Sequence, residues 1–380
     1  MAWETLVTNP VETIIGVPRD ARTPFERWVE DEQKLDIMRD YWAGPLGKLP
    51  LKRWDWRNVD ALFIDLIGCE SLAGLFVMEI RPGQATTRIR QLYEETFYAL
   101  SGNGSVVIET PHGKVEFEWG ERSLFAIPLN CPYQLFNGSG SKPARLVSCS
   151  TAPIVYSLYR DADFVWSTDH DFKRFEPDIV KDPTTAKLYK PDPTRGRTAV
   201  DLYDTMFVPD ILKLTRTDFR ERGAGTSAVY IETVKSAISN HVCEVPGRRF
   251  FRPHRHGPSA YVFTIAGKGY SMTWPDGGEI KRWDWPEGDV GVIVPPNMWW
   301  HGHFVTSPNA LQLAIKLRSR FNPINHLFEK SHIPVSEGGT VLRFEDLSEQ
   351  IRTTIWDTFV TECEKAGHKA VVPERADAPV

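Results

Sequence analysis

His254-Arg255-His256-Gly257-Pro258-Ser259-Ala260-Tyr261-Val262-Phe263-Thr264-Ile265-Ala266-Gly267-Lys268-Gly269 lines up without gaps against Ile89-Arg90-Gln91-Leu92-Tyr93-Glu94-Glu95-Thr96-Phe97-Tyr98-Ala99-Leu100-Ser101-Gly102-Asn103-Gly104. A second pair of segments recurs downstream, Ile127-Pro128-Leu129-Asn130-Cys131-Pro132-Tyr133-Gln134 against Val294-Pro295-Pro296-Asn297-Met298-Trp299-Trp300-His301. The offset of about 165 residues is too long for a solenoid period and suits two tandem domains. Each copy is built of short alternating or β-branched runs separated by turn residues. Leu75-Phe76-Val77-Met78-Glu79-Ile80 precedes Arg81-Pro82-Gly83, and Tyr270-Ser271-Met272-Thr273-Trp274 precedes Pro275-Asp276-Gly277-Gly278. Such strands predict an all-β chain of two domains, each an antiparallel sandwich or barrel of jelly-roll type.

Working outward, residues 24–43 and 343–366 have helical period and cap-like ends, so a few peripheral helices are expected there. Residues 160–225 are rich in Asp, Pro, Lys and Arg and read as an inter-domain connection, with Lys190-Pro191-Asp192-Pro193-Thr194-Arg195-Gly196 as a candidate lid. The expected organisation is an arm over 1–60, a first barrel over 61–160, a linker over 161–225, a second barrel over 226–335 and a C-terminal helix and tail over 336–380.

Composition narrows the function classes. A net charge of −5 over 380 residues leaves no electrostatic footprint for nucleic acid or an anionic membrane. No run of about 18 apolar residues predicts a transmembrane helix. Met1-Ala2-Trp3-Glu4-Thr5 lacks the basic and apolar regions of a signal peptide. Cys69, Cys131, Cys149, Cys243 and Cys363 are odd in number and scattered, which reads as buried filler in a reducing, cytoplasmic setting.

The chemistry concentrates in the second copy. Four of the ten histidines, His254, His256, His301 and His303, fall in its two motifs. Side chains two apart on a strand share a face, so His254 and His256 are expected to point together, joined by Phe250 and Arg252. Imidazoles at this spacing are candidate ligands for Fe, Zn, Cu or Ni. The first copy has Ile89, Gln91, Glu95 and Gln134 at the corresponding positions, a glutamate without histidines, and is expected to be structural.

These residues resemble the cupin superfamily, and two copies make the chain similar to a bicupin. The first motif of that superfamily is represented by Gly247, His254, His256, Ala260 and Gly267, the second by Gly288-Asp289, Pro295 and His301. The matching stretches cover about residues 70–150 and 235–320. His254-Arg255-His256-Gly257-Pro258-Ser259-Ala260 and the pattern ending Trp300-His301-Gly302-His303 resemble gentisate 1,2-dioxygenase and its salicylate- and hydroxynaphthoate-cleaving relatives. That resemblance implies Fe(II) held by His254, His256 and His301, with Ala260 where a glutamate ligand often stands. One departure is that those enzymes carry the metal in the N-terminal barrel.

The expected activity is therefore that of a non-haem Fe(II) dioxygenase, adding O2 to a hydroxylated or otherwise chelating aromatic acid and cleaving a C–C bond. His303 is expected beside the metal in a proton-handling or orienting role. Arg252 is the expected carboxylate partner, because a guanidinium grips carboxylate bidentately. Trp299 and Trp274 are candidate walls of an aromatic pocket. A Zn-, Mn- or Ni-dependent lyase, isomerase or hydrolase on a small organic acid, and a non-catalytic ligand-binding bicupin, are the alternatives. A homo-oligomer, dimer or tetramer, is expected in each case.

Overall fold

The structure is a computed structural model, which describes residues 22–174, 181–190, 200–219, 222–223, 225–319, 333–343 and 346–371. The two copies fold as two β-barrels, each made of a large and a small sheet. The first barrel's large sheet runs Val59–Leu66, Gly74–Ile80, Ala144–Ser150, Glu95–Ser101 and Leu124–Ile127, and the second repeats this order with Ser227–Thr233, Ile238–Pro246, Asn309–Leu317, Ala260–Ala266 and Gly291–Ile293. The small sheets also correspond, Tyr133–Asn137, Asn103–Thr110 and Gly113–Gly120 against Trp300–Val305, Gly269–Trp274 and Lys281–Asp284.

The repeat extends beyond the segments legible in sequence. Ile37–Asp40 pairs parallel with Val59–Leu66, and Leu202–Thr205 pairs parallel with Ser227–Thr233. Directly after these strands the chain crosses over. Trp42–Ala43 joins the second barrel at Gly291–Ile293, and Phe207–Val208 joins the first at Leu124–Ile127. Each barrel thus completes its edge with a strand from the segment preceding the other, which leaves that edge less open to unwanted pairing.

This exchange corrects two expectations. Residues 24–43 hold only a short α-helix, Pro24–Arg27, and a π-helical turn, Trp28–Glu32, before turning into strand. Pairing with Val59–Leu66 and Gly291–Ile293 outweighs the local helical pattern. Residues 161–225, expected as a linker, contribute helix Ala162–Ser167 and strands of both barrels. The lid candidate from Pro191 to Gly196 lies outside the described residues. The C-terminal helix is Glu349–Lys365, with Ser348 capping it by accepting from the Ile351 N–H. The proposed start at Phe344-Glu345 also lies outside the described residues.

The large sheets of the two barrels pack on each other, which explains their unbroken apolar runs. Along Val59–Leu66, Ala61 and Phe63 point into the first barrel while Leu62 and Ile64 meet Ile231, Val242, Phe263, Leu313 and Ile315 between the barrels. The first barrel's interior is filled by rings, among them Trp54, Phe63, Phe76, Phe97, Phe125 and Tyr133. The second is not filled, and that difference makes the site.

Gly68 marks the tightest joint between the barrels. Its carbonyl accepts the Ser259 N–H at 3.0 Å, and a Cβ there would lie 2.4 Å from the Val294 carbonyl oxygen. Gly68→Ala is expected to cost about 1–3 kcal/mol through overpacking. Chemical denaturation checks this, and an unchanged midpoint would contradict so close an approach.

Candidate metal centre

The first motif of the second copy is not a regular strand. It is held by isolated bridges, of which His254 opposite His301 is one. The two residues exchange both main-chain bonds, His254 N–H to the His301 carbonyl and the reverse, each at 2.9 Å. The Met298 N–H donates to the His256 carbonyl at 3.0 Å, tying the second motif to the first. Ring centroids of His254, His256 and His301 are then 4.2–5.6 Å apart, and their ligand atoms all fall within 4.8 Å of one another.

The same three rings share a tautomer. His254 Nδ1 lies 3.0 Å from the Arg252 carbonyl oxygen, His256 Nδ1 2.9 Å from that of Gly257, and His301 Nδ1 3.2 Å from that of Trp299. A carbonyl only accepts, so in each ring Nδ1 carries the proton and Nε2 presents a lone pair. That is the arrangement by which outer partners orient metal-ligating histidines. His301 Nε2 is buried and has no hydrogen-bond partner among the described residues. Three converging Nε2 lone pairs fit a divalent ion.

A cavity opens on these rings. Its walls include Phe219, Phe251, His303 and three polar residues that the sequence did not single out, Arg222, Gln312 and Lys316. Ala260 also lines it, so the place of the frequent glutamate ligand offers only a methyl group, and no Asp or Glu lines the cavity among the described residues. Lys316 faces Ala260 directly across the strand pair. Gln312 Nε2 is buried without a hydrogen-bond partner among the described residues. Cys243 is also in the wall, and burial pushes its thiol up to about 12, which makes it a poor nucleophile.

Several expected contributors are placed elsewhere. The Arg252 side chain does not line the cavity, and Arg252 contributes its carbonyl to His254 instead. Alternation failed because Phe250 and His254 lie four positions apart while their bridge partners Phe304 and His301 lie three apart, so Phe251 faces the cavity while Phe250 packs on Phe304 and Phe359. Trp274 lies on the outer face of its strand, in the cluster with Phe304, Ile355 and Phe359 under the C-terminal helix. Trp299 sits against Tyr41, with ring centroids 6.0 Å apart. Neither tryptophan reaches the cavity lining. His303 does, and Ser271 stands opposite it on the neighbouring strand.

The first barrel has a different centre at the corresponding place. Glu95 accepts from Gln91 Nε2 at 2.7 Å, from the Tyr133 hydroxyl at 2.5 Å and from Ser148, while Arg57 lies 3.3 Å away. Both members of the Arg57–Glu95 pair are buried. The alignment that set Gln134 opposite His301 is one residue out, since the Ile89–Tyr133 bridge matches the His254–His301 bridge. A one-residue slip exchanges faces. Gln134 instead donates to the Thr86 carbonyl at 2.7 Å. A guanidinium of the chain itself therefore supplies the positive charge in the first barrel.

Electrostatics keep the second-barrel imidazoles neutral. Burial pushes His301 down to about 3, against the pull of the Trp299 carbonyl, and Arg222 adds to the depression. Burial also holds His254, His256 and His303 well below their ordinary value, with Arg222 and the neighbouring rings contributing. A buried neutral histidine gains its proton on unfolding. Stability is therefore fully present above the ordinary value of 6.5 and is lost as pH falls from there toward about 3. The slope approaches about 1.4 kcal/mol per pH unit for each such ring. Denaturation of the metal-free chain at stepped pH is expected to show this loss, and a flat profile would contradict it.

No helix of the described residues is long and apolar enough to cross a membrane. No protein-family model matches the chain. Among solved structures, one addressing the Mn(II) centres of Bacillus subtilis oxalate decarboxylase is similar at 12% identity and a TM-score of 0.50, over 83% of this chain and 86% of that one. A variant of the same enzyme with one tryptophan replaced by phenylalanine matches with the same identity, TM-score and coverage. At this identity the likeness speaks for architecture, and with the strand order above it shows the chain to have the tandem cupin, or bicupin, fold.

Proposed function

We propose that this chain is a metal-dependent enzyme whose second barrel holds one divalent ion through His254, His256 and His301 and turns over a chelating carboxylic acid. In the finer form of this reading the ion is Fe(II), the substrate is a hydroxylated aromatic acid, and O2 is consumed as a C–C bond is cleaved. The observation that carries it is a cavity with three inward-facing Nε2 lone pairs, Arg222 and Lys316 in its wall, and no acidic lining residue among the described residues. Three neutral ligands leave a divalent charge uncompensated, so such a cavity favours an anion. When bound, the ion would supply Lewis acidity and, as Fe(II), a redox-active route by which O2 takes its electrons from the substrate.

The chain's own residues supply the rest. Arg222 offers a planar fork to a carboxylate, Lys316 a point charge, and Gln312 a neutral donor. Phe219 and Phe251 offer apolar surface for a ring. Arg222→Met and Lys316→Met are each expected to raise KM about tenfold or more, the worth of a hydrogen bond to a charged group. Arg252→Ala is expected to leave KM unchanged, since its side chain does not line the cavity. Steady-state kinetics decide between these outcomes, and the reverse pattern would return the carboxylate to Arg252.

Elemental analysis after expression with iron, followed by O2 consumption over a panel of aromatic acids, tests the function itself. Bound iron and O2 uptake dependent on the acid are expected. Turnover without O2 would favour a Zn-, Mn- or Ni-dependent lyase, isomerase or hydrolase. That second reading draws on the same ligand set, because three protein ligands with open positions also describe catalytic zinc sites. A non-catalytic bicupin would instead keep its ligand affinity when His256 is replaced by alanine. We place the activity in a homo-oligomer, dimer or tetramer, which light scattering checks.

A further inference from the structure

His303 differs from its three neighbours in what holds its ring. Its Nδ1 lies 2.8 Å from the Ser271 hydroxyl, directly across the strand pair, and among the described residues no carbonyl accepts from that nitrogen. Ser271 in turn accepts from the Trp285 indole N–H at 2.9 Å. Ser271, Trp285 and His303 are all buried. An indole nitrogen is a donor only, so it must use a lone pair of the hydroxyl. The hydroxyl keeps one hydrogen, and the partner left for it is His303 Nδ1. A buried hydroxyl whose hydrogen found no acceptor would be costly.

From this chain of donors we infer that Ser271, held by Trp285, fixes His303 as the Nε2–H tautomer, opposite to His254, His256 and His301. His303 is then a hydrogen-bond donor in the cavity wall, unable to offer its Nε2 to a metal without losing a proton. Of the five histidines that line the cavity, four have adjoining rings, and the geometry makes three of these lone-pair donors and one a proton donor. Under the function proposed above, on which this consequence rests, the donor meets an oxygen of the bound acid.

The first barrel shows what these positions look like without the device. Val106 and Leu135 pair there where Ser271 and His303 pair in the second barrel, and both are fully buried. Trp119 occupies the place of Trp285, since it pairs with Gly104 as Trp285 hydrogen-bonds to Gly269. Each ring lies where a Cβ on that glycine would collide with it, 2.5 Å from Trp119 and 2.8 Å from Trp285. Trp119 Nε1 has no hydrogen-bond partner among the described residues. The tryptophan therefore serves packing in both barrels. Only beside the three histidines does its N–H meet a serine that meets a fourth histidine. Ser271 and Trp285 are positioning residues in this account.

Nitrogen NMR of the full chain labelled with 15N-histidine tests the assignment, in the metal-free and Zn(II)-loaded states. His303→Gln identifies the His303 signals by their loss. The expected result is an unprotonated Nδ1 and a protonated Nε2 for His303 in both states, with Nδ1 protonated in the other three rings. Ser271→Ala is expected to abolish that pattern at His303, and Ser271→Thr, which keeps the hydroxyl, to retain it. Both His303→Gln and Ser271→Ala should still bind one Zn(II) per chain. A protonated Nδ1 at His303 in the unmodified protein, its signals identified through His303→Gln, would overturn the inference. Loss of Zn(II) from His303→Gln with the fold intact would overturn it too, by making His303 a ligand. Absence of Zn(II) binding in the unmodified chain would instead defeat the proposed function, while the metal-free spectrum still reads the tautomer.

Discussion

Glu95→Ala is expected to destabilise the first barrel by about 3–5 kcal/mol, although Glu95 is far from any proposed chemistry. The carboxylate is the hub of a buried network, accepting from Gln91, Tyr133 and Ser148 beside Arg57. Burial works against the Arg57 charge, but Glu95 and Tyr133 outweigh it and hold the guanidinium firmly protonated. Removing Glu95 therefore strands a full positive charge among Trp54, Phe97 and Tyr133 rings, with nothing to neutralise it. The double replacement Arg57→Met with Glu95→Leu is expected to recover most of the loss, because exchanging a whole buried pair for apolar groups is often neutral. Denaturation midpoints of the single and double variants decide the matter. Equal losses in both would show that the network matters through packing. Metal content should be unaffected by either, since neither residue belongs to the second-barrel site.

His256→Ala should have the opposite profile, a small structural cost and a large loss of metal. Outer partners of metal ligands are worth about 10–100-fold in affinity, and loss of a ligand itself should exceed that range. The consequence for stability follows from linkage. An ion present at 100 times its Kd stabilises the folded chain by about 2.7 kcal/mol, and that increment should vanish in the variant. Thermal unfolding with and without added metal measures it. The unmodified chain should show a rise in Tm with metal, and the variant none. A rise of equal size in both would remove His256 from the ligand set.

Much of this was legible in the residues. The gapless match of Ile89–Gly104 to His254–Gly269 revealed two barrels, and alternation within His254-Arg255-His256 placed two rings together. The polar wall was harder to see. Lys316, Ala314 and Gln312 are spaced two apart on one face of an otherwise apolar strand, with Leu313 and Ile315 buried on the other. That spacing was a usable signal of a cavity-facing row. Arg222 carried no such signal, because it enters from a stretch whose composition reads as linker. Tyr133 was missed through a one-residue register slip, which short apolar motifs do not prevent. Arg252 was misplaced because strand alternation was extended across Pro253, where regular pairing is absent.

The exchanged edge strands Trp42–Ala43 and Phe207–Val208 are two residues long and carry no period of their own. Their placement depends on partners about 85 to 250 residues away, the kind of non-local pairing that local pattern does not encode. The chain's division of labour is nevertheless simple in physical terms. One barrel closes its centre with its own cation and fills with rings, and the other leaves its centre open and lines it with imidazoles.

Anomalous diffraction from crystals of the metal-loaded chain, recorded at the absorption edge of the bound metal, tests that division most directly. One peak per chain is expected, among the Nε2 atoms of His254, His256 and His301, and none beside Glu95. A peak in the first barrel, or no peak in a well-folded crystal supplied with metal, would contradict it.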